Sequence, residues 1–210
     1  VIPKINQQFG EECKIIIMLR NPIERAYSGF QHVKRYNVKE DCTDFKLAWS
    51  VSEERYFSKP DMTPASRYKE LGLYYKQVKS YLDEVKNVHI IIYEDYQNDF
   101  QSEMNKVFNF LEINIINIDS EKKHMVGGWQ WEDEKMKSLM LKKNPIKSFI
   151  KFLIPFKGIR KNIRTKIQNR NTSKVPEICK DDIEMLRKFY KEDVKQLSVL
   201  LERNLNHWTE

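Results

Sequence analysis

The sequence predicts an α/β fold in which helices pack against a parallel sheet. Two runs carry this expectation. Residues 14–19, KIIIML, are apolar after the first lysine and rich in β-branched side chains, and VHIIIY at 88–93 repeats the pattern. Short apolar runs of this kind suit strands buried on both faces. Each is followed by a stretch with helical periodicity, and helical stretches also separate the two, which is the order that joins parallel strands.

The elements follow in order. Arg20 ends the first strand, Asn21 offers an N-cap and Pro22 takes the favoured first helical position, so a helix is expected over 22–36. Ile23, Tyr27, Phe30 and Val33 form its packing stripe. Arg25, Ser28, His32 and Arg35, at i, i+3, i+7 and i+10, form a polar one. A helix over 43–57 comes next. A polar loop with Pro60 and Pro64 then leads to a helix over 67–85. After the second strand the pattern predicts a helix over 99–111 and a loop at Gly127-Gly128. The stretch beyond reads as short helices broken at Pro145, Pro155 and Gly158, and a long helix over 180–203 closes the chain before Trp208. Two strong strands are few for a sheet covered on both faces. Either short strands escape the pattern, or a strand and its helix lie ahead of Val1.

At 210 residues, 40% of them apolar and 12% aromatic, the chain suits one globular domain over 1–210. Cys13, Cys42 and Cys179 are far apart and in no C-x-x-C pair, and the four histidines are scattered. This excludes a disulfide framework and a zinc cluster, implies free thiols in a reducing, cytoplasmic setting, and gives no metal site. No apolar run is long enough to span a membrane, and the first residues lack the pattern of a signal peptide. The net charge of +7 is local: thirteen of the 37 basic residues and none of the 30 acidic ones fall between Lys135 and Lys174. Such a segment attracts an anion: phosphate, sulfate, nucleic acid, an acidic glycan or an acidic lipid surface. Solvated helix faces are the ordinary alternative for the same segment. Nucleic acid fits the charge, but no recognisable reading motif accompanies it.

The stretch KIIIMLRNPIERAYSGFQH joins strand to helix at the place where open α/β sheets bind ligands, beyond the carboxyl end of a strand. A guanidinium at Arg20 can hold a phosphate by two parallel hydrogen bonds near the positive end of the helix dipole. Spacing alone is equally compatible with a surface salt bridge at Arg20. It is also compatible with a solvated serine at Ser28 and an exposed or structurally bonded histidine at His32.

LRNPIERAYSGFQH resembles the 3′-phosphate-binding motif of sulfotransferases that use 3′-phosphoadenosine 5′-phosphosulfate (PAPS). In that family a strand ends in Arg, Asn/Asp-Pro follows, and a Ser stands eight residues after the Arg. Arg20 and Ser28 match. The resemblance implies a P-loop-type sulfotransferase fold, cofactor binding by Arg20 and Ser28, and 3′,5′-ADP as the product. AYSGFQH is similar to the sulfotransferase half of heparan N-deacetylase/N-sulfotransferases, which implies a catalytic place for His32 and a hydroxyl or amine acceptor on a carbohydrate. Gly72, Tyr74, Glu94 and Asp95 match the family's Gly-x-Tyr helix and its strand ending in Glu-Asp. For these, packing with a tethered hydroxyl (Tyr74) and capping of the next element (Glu94-Asp95) are the structural readings. VFNFLEI matches the Phe-Leu-Gly helix end with Glu112 in place of glycine. Heparan-type members carry a Lys-Gly-Arg loop before the last helix. Here IQNRNTSKVP stands there, without that pattern, and offers Arg170 and Lys174 as phosphate contacts. The family's Lys/Arg-x-Gly-Thr/Ser-Thr/Ser loop, which binds the 5′-phosphosulfate, is not found. With the low strand count, this leads to the expectation that the first strand and loop precede Val1. A cofactor-binding remnant without activity and a basic anion-binding module are the alternatives.

Overall fold

The computed structural model describes residues 2–36, 40–59, 62–118, 127–142, 153–154 and 156–210. A short helix α1 (Ile2–Phe9) leads into β1 (Lys14–Leu19) and α2 (Pro22–Tyr36), then α3 (Phe45–Ser50) and α4 (Ser52–Ser58). Two 3₁₀ turns, Pro64–Ser66 and Glu70–Gly72, precede α5 (Tyr75–Glu84), β2 (Asn87–Ile92), α6 (Tyr93–Asn98) and α7 (Phe100–Leu111). Then come β3 (Trp129–Trp131), α8 (Glu134–Leu141), α9 (Lys157–Asn169), β4 (Thr172–Lys174), α10 (Lys180–Leu200) and a 3₁₀ turn at Asn206–Trp208. No described helix is long and apolar enough to cross a membrane.

The chain forms two compact units, each assembled from separate stretches. The first comprises Val1–Ala26, Lys69–Met125 and Cys179–Glu210. In it β1 and β2 pair in parallel, Lys14 opposite Asn87 through Leu19 opposite Ile92. The parallel sheet is therefore as expected, but full burial of its first strand is not. Side chains alternate across a strand, and while Leu19 is buried, Ile16 and Met18 on one face are 40% and 49% exposed. The core of this unit gathers Ile23, Ile91, Ile92 and Val107 with Leu186, Tyr190, Val194 and Leu197 of α10, and with Trp208.

The expected helix over 67–85 begins only at Tyr75, and the cause lies in α10. The Asp193 carboxylate accepts the backbone N–H groups of Tyr74 (2.7 Å) and Tyr75 (3.2 Å), which caps α5 from a distant helix. Ahead of it, a Cβ on Gly72 would stand 2.5 Å from the Tyr190 hydroxyl. That hydroxyl donates to the Lys69 carbonyl at 3.1 Å, so only glycine fits the turn. At the end of α7, Glu112 adopts a left-handed conformation (φ 60°), the place where the family pattern has glycine.

The second unit comprises Tyr27–Tyr68 and Val126–Ile178. Its core is Phe30, Val33, Phe45, Trp49 and Tyr68. Helix α2 thus belongs to both units in turn. The single helix expected over 43–57 is broken at Val51, where the Ser50 and Ser52 hydroxyls donate to the Leu47 and Trp49 carbonyls and compete with the helical ladder. β3 and β4, which the sequence pattern missed, pair antiparallel with Trp129 opposite Lys174. Three-residue strands are too short to show alternation. Gly158 does not break a helix, as expected from sequence, but sits in the first turn of α9. Pro145 and Pro155 lie outside the described residues. Glu40, Asp41 and Cys42 could in principle ligate a metal, but the Arg55 guanidinium holds the Glu40 carboxylate by two bonds, at 2.6 and 2.9 Å, and also reaches Asp41 and Cys42. Tyr68 donates to Glu40 at 2.7 Å, and burial beside that carboxylate pushes its phenol up. This is a buried ion pair in which both oxygens of the Glu40 carboxylate are bonded, while Arg55 Nε has no partner among the described residues.

Candidate functional site

In the first unit, the turn between β1 and α2 is braced from three sides. Asn21 caps α2 by accepting the Ile23 N–H at 2.9 Å. The Asn21 backbone N–H donates to Glu94 Oε1 at 2.8 Å. The Tyr74 hydroxyl donates to the Arg20 carbonyl at 3.0 Å. Tyr74 is buried, and burial pushes its phenol up to about 12, so it stays a neutral donor. The tethered hydroxyl expected of Tyr74 is present. Glu94 does not cap the element that follows it, as expected, but the helix that follows β1. Asp95 pairs instead with Arg203. Strand pairing puts the ends of β1 and β2 side by side, so the residues just past β2 reach the turn just past β1.

Arg20 lies one residue past the end of β1. Its guanidinium rests over the Tyr93 ring, 5.0 Å from the centroid, and donates through Nε (3.2 Å) and Nη2 (2.8 Å) to Glu24 Oε2. Nη1 has no hydrogen-bond partner among the described residues. The pair is half exposed, and such a pair contributes little to stability. A phosphate can therefore compete for the guanidinium at small cost.

In the second unit, Ser28 and His32 occupy successive turns of the exposed side of α2. Arg35, expected on the same polar stripe, is buried. Its Nε donates to the Trp129 carbonyl at 2.7 Å, and its guanidinium stacks 4.6 Å from the Trp129 ring centroid. Trp131 Nε1 returns a bond to the Arg35 carbonyl at 3.1 Å. Two turns earlier on the same helix, the Tyr27 hydroxyl donates to the Pro176 carbonyl at 2.8 Å. These contacts lay the β3–β4 pair and the segment after Lys174 along α2. His32, Tyr36, Trp129 and Trp131 form a run of rings with successive centroids 4.9, 6.0 and 5.5 Å apart. Lys174 ends β4 with its side chain exposed, and Arg170 is the exposed C-cap of α9. The structure thus brings Ser28, His32 and the segment carrying Lys174 into one unit, while Arg20 belongs to the other. Sequence reading missed Trp129 and Trp131. Their W-Q-W alternation beside Gly127-Gly128 was the available signal.

The sulfotransferase domain family matches residues 3–198, and the chain belongs to that family. A solved sulfotransferase from Alicyclobacillus acidocaldarius shares the fold, with a TM-score of 0.66 at 22% identity over 100% of this chain. The match covers 62% of that protein, so the chain spans about six tenths of its length. No curated protein matches the chain.

Proposed function

We propose that this protein transfers a sulfuryl group from PAPS to a hydroxyl or amine of a carbohydrate acceptor. The observation that carries the proposal is the pair Arg20 and Ser28, at the family's eight-residue spacing on a strand-to-helix turn, each with hydrogen-bonding capacity left over. Each residue, taken in its own unit, can bond a phosphate oxygen. Arg20 has a free Nη1 and a weak, displaceable partner in Glu24, and Ser28 presents an exposed hydroxyl. Arg170 and Lys174 are exposed cations of the second unit.

PAPS when bound supplies the sulfuryl group and a phosphate leaving group. Arg20 and Ser28 bind the phosphate remote from the reacting bond and convert binding energy into orientation. The Tyr74 and Glu94 bonds hold the backbone of the turn, and the guanidinium has only to exchange Glu24 for the phosphate. His32 takes the acceptor proton as attack on sulfur proceeds. The exposed Tyr36 ring beside it offers a flat face for the C–H surface of a sugar, which supports a carbohydrate acceptor. The free thiols Cys13, Cys42 and Cys179 suit a cytoplasmic setting.

The test is calorimetric titration with 3′,5′-ADP, with 5′-AMP alongside. The expected result is preference for the ligand with the 3′-phosphate, reduced about tenfold or more in Arg20→Ala and in Ser28→Ala, as for charged hydrogen bonds worth about 1.5–3 kcal/mol. Equal binding of both ligands by a folded protein would reject the assignment.

A further inference from the structure

Helix α9 is amphipathic, yet it buries none of its residues. Phe156 at its N-cap and Ile159 and Ile163 within it recur at helical spacing and are 68%, 50% and 40% exposed. In a globular chain such a stripe normally faces a core, and contiguous exposed apolar patches mark interaction surfaces. Arg160 and Lys166 border the stripe, and Lys157, Lys161 and Arg164 occupy the opposite face. The helix sits within a stretch, Lys135 to Lys174, that holds no acidic residue.

Charge narrows the choice of occupant. A second copy of this chain would set one cationic helix against another, which like-charge repulsion opposes. An acidic polysaccharide satisfies the cations but leaves the phenylalanine and isoleucines in water. An anionic bilayer satisfies both, because its acyl boundary takes the stripe while its headgroups take the lysines and arginines. The cations on the far face still act, since a helix is about 10–12 Å across and the Debye length is about 8–10 Å.

We propose that α9 is an interfacial helix that docks this protein on an anionic membrane surface, with Phe156, Ile159 and Ile163 at the acyl boundary. The proposal is independent of the sulfotransfer reading. The cationic helix binds from the side, without spanning, and a single helix of this length holds reversibly.

The experiment is sedimentation of the full chain with phosphatidylcholine–phosphatidylserine vesicles, against phosphatidylcholine alone, and with heparin as a soluble polyanion. Binding to the anionic vesicles is expected, falling steeply as salt rises from about 0.1 M to 0.5 M. It should drop about tenfold or more both in Phe156→Ser/Ile163→Ser and in Lys157→Glu/Lys161→Glu/Arg164→Glu. These side chains are exposed, so the fold tolerates the changes, and circular dichroism verifies it. In a Phe156→Trp variant the new indole should shift to shorter emission wavelength with anionic vesicles and not with heparin. Binding to heparin but not to vesicles, or vesicle binding that ignores the apolar substitutions, would overturn the proposal in favour of a purely electrostatic surface.

Discussion

At the scale of single residues, side chains named by one short motif act in quite different ways. Arg20 and Ser28 keep donors available, whereas Asn21 is consumed in capping α2 and Arg35 in holding Trp129. Position decides, not residue type. Glu112 is the clearest local departure from the family pattern. It takes a left-handed conformation at φ 60°, where a Cβ costs about 1–2 kcal/mol. Its side chain is 82% exposed in the Lys14–Glu112 pair, so that ion pair offsets little of the cost. Glu112→Gly is therefore expected to raise stability by about 0.5–1 kcal/mol, read as a higher midpoint in urea unfolding. A lower midpoint would mean that the ion pair outweighs the backbone strain.

At the scale of elements, β2 is held against α7 by more than apolar packing. His89 stacks on Phe110 with ring centroids 5.2 Å apart and 26° between planes. Burial lowers its pKa from 6.5, with Glu103 of α7 opposing that shift and Lys106 adding to it. The sign follows. The unfolded chain takes up the proton more readily, so the stability of neutral His89 is full above 6.5 and is lost as pH falls through and below that value. The melting temperature is expected to fall between about pH 7.5 and 5.5, and to fall less in His89→Phe, which keeps the stack and cannot protonate. Equal falls in the two proteins would show that other groups dominate. The same scale explains the element boundaries. α2 matched its expected span because its cap and its Pro22 are adjacent in sequence. α5 did not, because its cap, Asp193, comes from α10.

At the scale of the molecule, each unit has its own means of cohesion. The first relies on apolar side chains of α10 against α5 and the Asn206–Trp208 turn. The second encloses an ion pair: the Glu40 side chain is fully buried and that of Arg55 is 6% exposed. Removing one partner leaves an uncompensated charge, which costs about 3–5 kcal/mol, whereas apolar replacement of both is close to neutral. Glu40→Ala is thus expected to lower the unfolding midpoint sharply, and Glu40→Leu/Arg55→Met to recover most of the loss. A double variant no better than Glu40→Ala would assign the loss to the bonds with Tyr68 and Cys42 instead.

The sequence by itself determined the parallel strand pair, the full extent of α2, the strand-to-helix turn with Arg20 and Ser28, and the confinement of basic charge to one segment. These are legible because their causes are local: apolar runs, an adjacent cap and proline, and residue spacing. The tertiary structure decided which carboxylate braces the Asn21 N–H, why position 72 admits only glycine, that Arg35 is buried under Trp129, that β3 and β4 pair along α2, and that the apolar stripe of α9 faces solvent. Each depends on groups far apart in sequence, or on the absence, among the described residues, of a packing partner for a stripe that periodicity alone would send to a core. Periodicity reports that a face is apolar, and only packing reports what covers it.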